Sequence, residues 1–171
     1  MGNSHQVLSS AAEFFRTIHS WLPVISHRSF SARLVPARIT SETADFCLLT
    51  LLMHLLCSKP IDGTLTEQTR SLYLLLKSLV GMMEAVGIST LEMVQARLLM
   101  TVFEVGHRLY PATYISSGAN LRAAMNLGVH VDENQKLLKI FGSGERAEEA
   151  QRTWSGVLVT DRLVITFIFY I

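Results

Sequence analysis

Charge is scarce in this sequence, and neither sign is in excess. Only 17% of the 171 residues are charged, against about 25% in an average soluble domain. Fifteen Lys and Arg against fourteen Asp and Glu leave a formal charge of +1, so the chain as a whole offers no electrostatic attraction to nucleic acid or to an anionic membrane. There are two cysteines, Cys47 and Cys57. Both lie in an apolar run, fit no disulfide or zinc-ligand spacing, and read as small buried hydrophobes of a reducing compartment. Phe46 to Cys57 is the longest uncharged apolar stretch of helical character, and it falls short of the ~18–20 residues that span a bilayer. Met1 to Ser10 lacks the charged-then-apolar order of a secretory signal,. The Gly-rich phosphate loop, the dinucleotide fingerprint, the Gly-x-Ser-x-Gly elbow and the His-Glu-x-x-His zinc helix are all missing,.

What the sequence does have is apolar residues, 49% of the total, recurring at helical spacing almost throughout. The pattern predicts an all-α fold, a compact multi-helix bundle of six to seven helices forming one domain over residues 1–171. The first helix is expected over Ser10 to Leu22, with Phe14, Phe15, Ile18, Trp21 and Leu22 on its buried stripe and Pro23 ending it,. A short helix follows around His27 to Leu34. Glu42 to Ser58 is apolar on every side, as befits a helix surrounded by others,. After a turn at Asp62-Gly63-Thr64, an amphipathic helix carries Leu72, Leu75, Leu76, Leu79, Met83 and Val86 and stops at Gly87,. Ser89-Thr90-Leu91-Glu92 has the form of a capping box opening a helix that runs to about Gly106,. Pro111 suits the first turn of the next helix, which sets Tyr114, Gly118, Leu121 and Met125 on one side and ends at Gly128,. His130 to Gly144 reads as loop with a turn within Gln135 to Phe141, and a last helix starts near Glu145. A repeat of about 34 residues is not present.

Few residues suggest chemistry. Glu104 and His107 have a carboxylate–histidine metal spacing, but a second copy and further acids are lacking, so a surface or capping pair is the simpler reading,. His54 in the all-apolar helix reads as a neutral imidazole donating to a neighbour. His19 and His27 give no ligand geometry. Arg28, Arg33 and Arg38 share no helical face, and salt bridges or solvent account for them better than phosphate does,. Asp161 and Arg162 stand in the apolar run Val157 to Ile171, where charge needs partners; Arg122 and Glu104 are candidates for a buried ionic network, with a pair reaching the surface as the alternative,.

One set of residues carries a resemblance. Gly106-His107-Arg108-Leu109-Tyr110-Pro111-Ala112-Thr113-Tyr114, then Gly118-Ala119, Arg122, Ala124, Leu127-Gly128 and His130, resembles the core signature of the regulatory (middle homology) domain of fungal zinc-cluster transcription factors. Arg152-x-Trp154 with Asp161-Arg162 is similar to that family's next landmark, and Phe15 with His19-Ser20-Trp21-Leu22-Pro23-Val24 and Phe30 to its opening element. The three run in the family's order over residues 14–162. Ser20 in place of a proline and Ser155 in place of a second tryptophan depart from it, and the binuclear six-cysteine zinc cluster with its basic linker is absent.

The resemblance implies a non-enzymatic regulatory domain acting in the nucleus, with Trp21, Pro23, Gly106, Tyr110, Pro111, Tyr114, Gly118, Arg122, Leu127, Gly128, Trp154, Asp161 and Arg162 as structural motif residues and no catalytic, metal or cofactor site. Its partners would be other protein segments or a transcription-factor partner, a second copy of the chain included. Sequence-specific DNA binding by this stretch is not expected, nor is a membrane role. The family domain usually continues further, so the chain reads as a fragment whose apolar tail, Leu163 to Ile171, needs covering. A helical interaction scaffold and a small-molecule sensor are the alternatives; a pocket lined by His54, Trp154 and the tyrosines would favour sensing.

Overall fold

A computed structural model describes residues 2–34, 43–60 and 63–169, with side chains placed over 8–34, 43–60 and 63–166. Arg38, Asp62 and the end of the apolar tail lie outside the described residues. Among the described residues eight α-helices follow one another: α1 (Gly2–Arg16), α2 (His27–Arg33), α3 (Ala44–Leu56), α4 (Glu67–Ala85), α5 (Leu91–Gly106), α6 (Ala112–Leu127), α7 (Asn134–Phe141) and α8 (Gly144–Phe169). No strand occurs among the described residues. The all-α expectation holds, and the count exceeds six or seven because the stretch read as a loop with one turn closes into α7, capped by a left-handed Gly142,.

Two helices form the interior. The sequence marks α3 as central, and its Phe46, Leu48, Leu49, Leu52, Met53 and Leu55 are buried. The deeper one is α5: from Leu91 to Phe103 only Arg97 and Val102 escape full burial. It touches α3, α6 and α8, while α1 and α4 pack on α3, and α7 on α8.

Four local expectations change. The first helix ends at Arg16, and a 3₁₀ turn over Ile18–Ser20 carries Trp21 out of the buried stripe to 59% exposure. Cys47 is exposed; Cys57 is half-buried, donates to the Ser10 carbonyl, and burial pushes its thiol up to about 11. The α5 cap is Thr90 rather than Ser89: Thr90 Oγ1 accepts from the Met93 amide at 3.2 Å and donates to Asp45 Oδ2 at 2.6 Å. Glu92 therefore has no capping role and turns elsewhere. Thr90→Ala is expected to cost about 1–2 kcal/mol in a urea melt and Ser89→Ala nothing measurable, and equal losses would restore Ser89 as the cap.

The fourth change is the rotation of α6. Its buried residues are Thr113, Ser117, Asn120 and Ala124, while Tyr114, Ile115 and Met125 are exposed. Small and polar side chains let it lie close to its neighbours, with Asn120 Nδ2 3.5 Å from Thr101 Oγ1 and Ser117 Oγ donating to Asp161 Oδ1 at 2.8 Å. Asp161 thus pairs with a serine; Arg122 and Arg162 are exposed, and Glu104 belongs to a different cluster. The buried ionic network suggested for these residues does not form.

Candidate functional site

Between the 3₁₀ turn and α2 the chain runs extended and buried through Val24, Ile25 and Ser26. A buried extended segment has no ladder of its own, so each backbone polar group needs a partner from elsewhere. The Val24 amide donates to the Leu22 carbonyl and the Ser26 carbonyl accepts from the Phe30 amide, and side chains of α5 and α8 supply further partners. Gln95 Nε2 donates to the Val24 carbonyl at 2.7 Å and Thr153 Oγ1 to the same oxygen at 3.3 Å. The Ser26 amide donates to Glu149 Oε1 at 2.9 Å, and Arg152 Nε to the Pro23 carbonyl at 2.9 Å. Ser26 also caps α2, its Oγ accepting from the Ser29 amide at 3.2 Å.

Charges complete this polar seam. Glu92, buried on α5, accepts from Arg33 Nη1 of α2 at 2.7 Å and from Arg146 Nη2 of α8 at 3.0 Å. Arg146 Nη1 reaches Glu149 at 3.3 Å. Burial alone would disfavour the charged form of Arg146, and the two carboxylates more than offset it, holding its pKa above the ordinary arginine value,. Arg33 also lies over the Phe46 ring at 3.8 Å, a cation–π contact,.

This clamp creates a groove. Residues 18–24, the C-terminal half of α5 and one face of α8 enclose about 720 Å³ lined chiefly by apolar groups, among them Leu22, Val24, Val102, Phe103 and Val159. Trp21 (59% exposed), Val159 (56%) and Leu163 (43%) stand at its edges with their apolar faces in solvent. Gly156 forms part of its wall, where α8 passes so close that any side chain would strike Val24 and Leu98.

Five of the motif residues lie at this groove or at the turn beyond it. Trp21, Pro23 and Gly106 line the groove. Gly106, Tyr110 and Pro111 line a second cleft of about 800 Å³ on the other side of the α5–α6 turn. In that turn the left-handed residue is Arg108 (φ 54°) rather than Gly106. Gly128 takes the left-handed cap as expected (φ 83°), with Ile140 3.1 Å from where a Cβ would sit. Trp154 is half-buried and meets His130 edge-on, with centroids 6.1 Å apart. Leu127 packs against the core, while Tyr114 and Arg122 face solvent and Gly118 is half-buried.

The remaining polar residues settle into structural roles. Glu104 is wholly buried rather than at the surface, accepting from Tyr73 Oη at 2.8 Å and Lys77 Nζ at 2.5 Å. Burial and that carboxylate push the Tyr73 hydroxyl well above its usual pKa,. His107 Nδ1 lies 2.8 Å from the Phe103 carbonyl, and His54 Nδ1 lies 2.7 Å from Ser10 Oγ. Burial holds the His19 pKa below the ordinary value, helped by Arg152 and His27. No grouping of three or more His, Cys, Asp or Glu suited to a metal ion occurs among the described residues, and no helix there is long and apolar enough to cross a membrane. The cleft that holds Tyr73 and Tyr110 holds neither His54 nor Trp154, so the combination that would favour sensing is not assembled.

Sequence reasoning missed Gln95, Glu149, Arg146 and Gly156, and gave Glu92 a capping role in place of its arginine pairs. A polar residue inside the otherwise apolar α5 marks Gln95, and a mid-helix glycine with no turn nearby marks Gly156, whereas Arg146 and Glu149 stand in the charged opening of α8 and carry no such signal,.

The described residues thus form an all-helical body with an open apolar groove and a buried polar seam beside it. The particular family follows from comparison. Residues 11–168 match the model of the fungal specific transcription factor domain, and the chain belongs to that family. Over 142 residues it is 33% identical to "Transcription factor BOA15" of Botryotinia fuckeliana (strain B05.10), covering 82% of this chain and 76% of that protein. No solved structure matches the chain significantly.

Proposed function

We propose that this chain is a non-enzymatic regulatory domain acting in the nucleus, and that it modulates transcription by receiving an apolar protein segment in the groove between residues 18–24, α5 and α8. The segment would come from the same transcription factor or from a partner, a second copy included. The observation that carries this reading is the preformed apolar volume with Trp21 exposed at its edge, since tryptophan is among the residues that most often dominate protein contacts. Membership of the fungal transcription factor family supports the setting. Two cysteines do not make a six-cysteine cluster, so the reading assigns neither zinc binding nor base recognition to this stretch.

The test is a reporter assay on the full-length transcription factor. Val159→Asp places a charge on the groove wall at an exposed position, and Trp21→Ala removes the apolar edge. Both are expected to change reporter output several-fold while leaving the melting temperature of the domain in place. Output equal to wild type in both variants would remove the groove from the account.

A further inference from the structure

A second cavity, away from the groove, has a different character. The C-terminal end of α4, the turn at Gly87–Thr90, the first half of α5 and the outer part of α6 enclose about 520 Å³. Its apolar lining includes Met93, Val94 and Ala123; its charged lining residues are Arg97, Arg122 and one acid, Glu84. Arg97 pairs with Glu84 through Nη1, yet its Nε is buried and has no hydrogen-bond partner. That is a costly state for a guanidinium whose side chain is 12% exposed,. Burial accordingly lowers its pKa from the usual arginine value. Arg122 makes no ion pair or hydrogen bond among the described residues. A smaller hollow of about 180 Å³ shares Glu84, Arg97 and Ala119 and adds Lys77, which sits on Ser116 and Glu104.

The cleft therefore brings two guanidiniums, one from α5 and one from α6, against a single acid and an apolar floor. We propose that this cleft binds a small organic anion, a carboxylate or a phosphate ester, whose charged end is held by Arg97 and Arg122 while its apolar part rests on Met93, Val94 and Ala123. Guanidinium forks match both oxyanions bidentately, and the volume lies within the ~300–1,000 Å³ range of small-molecule sites. This site is separate from the groove and does not depend on what the groove receives.

The probes are sodium malonate and inorganic phosphate, titrated into the full chain at constant ionic strength with sodium chloride as reference, the melting temperature and amide NMR shifts being recorded together. The expected result is a saturable rise in melting temperature beyond that from chloride, with shifts focused on Arg97, Ser89 and Asn126. Malonate alone saturating identifies a carboxylate ligand, and phosphate alone a phosphate. Arg122→Gln, at an exposed position, should weaken the saturating probe about tenfold or more, Arg122→Lys less, and Arg28→Gln on α2 not at all. Titrations indistinguishable from chloride, or Arg122→Gln binding as wild type does, would overturn the proposal.

Discussion

Replacing Gly156 with leucine should be the most damaging single change outside the apolar core, with Gly156→Ala an attenuated version of it. An added Cβ would lie 2.7 Å from Val24 Cγ1, 2.9 Å from Leu98 Cδ2 and 3.2 Å from Leu22 Cδ1. All three residues are buried; the leucine termini can turn aside, but the valine methyl is fixed by a single preferred rotamer and by the hydrogen-bonded backbone of Val24,. Overpacking of this kind costs about 1–3 kcal/mol, against which a mid-helix alanine returns up to ~1 kcal/mol over glycine. Gly156→Ala is therefore expected to lose about 1 kcal/mol net and Gly156→Leu more than ~3 kcal/mol, because the longer side chain can only be placed by pushing residues 22–24 off α8. Urea melts followed by circular dichroism measure both. Had a glycine been there only by chance, alanine would stabilise the helix, and that outcome would show that α8 and the 22–24 segment are not in close contact.

Glu92→Ala should be comparably severe for an electrostatic reason. Glu92 is 7% exposed, and its carboxylate joins Arg33 of α2 to Arg146 of α8. Without it two guanidiniums share a part-buried space; Arg146 keeps Glu149 and Arg33 keeps Thr43, at distances of 3.3 Å in each case. Removing one partner of a buried pair typically costs 3–5 kcal/mol, and because both arginines reach solvent, the lower end, about 3 kcal/mol, is expected. Glu92→Gln keeps the shape and one acceptor and should fall between. A loss below roughly 0.5 kcal/mol, the size of an ordinary surface change, would mean that Glu92 has no part in tying α2 to α8.

How far the fold was readable depends on which force sets each element. Where burial of apolar surface decides, the spacing of residues suffices: α3, α4 and α5 fall where Phe46 to Cys57, Leu72 to Val86 and Leu91 to Gly106 place them. Gly128 could be read because only a left-handed cap needs that residue there,. The face of α6 could not, because Thr113, Ser117 and Asn120 are inside by virtue of hydrogen bonds and close approach rather than hydrophobicity. Trp21 departs from expectation for a related reason: helical periodicity predicts one helix through Leu22, whereas the chain tightens into a 3₁₀ turn at Ile18. The clamp on Val24 and Ser26 depends on residues about 70 and 125 positions away, and no local pattern encodes such pairings. Of the motif residues read from the resemblance, Trp21, Pro23, Gly106, Tyr110, Pro111 and Gly128 mark turns, a cap and the groove, while of the ties on residues 23–26 only Arg152 belongs to the motif.

Hydrogen exchange at the Ser26 amide tests the clamp most directly. With its N–H donated to the buried Glu149 carboxylate, this amide should exchange nearly as slowly as the interior amides of α5, although it lies outside any helix. Exchange at the rate of an unstructured chain would mean that residues 22–26 do not rest on α5 and α8, and that the groove they border is not a standing feature of the protein.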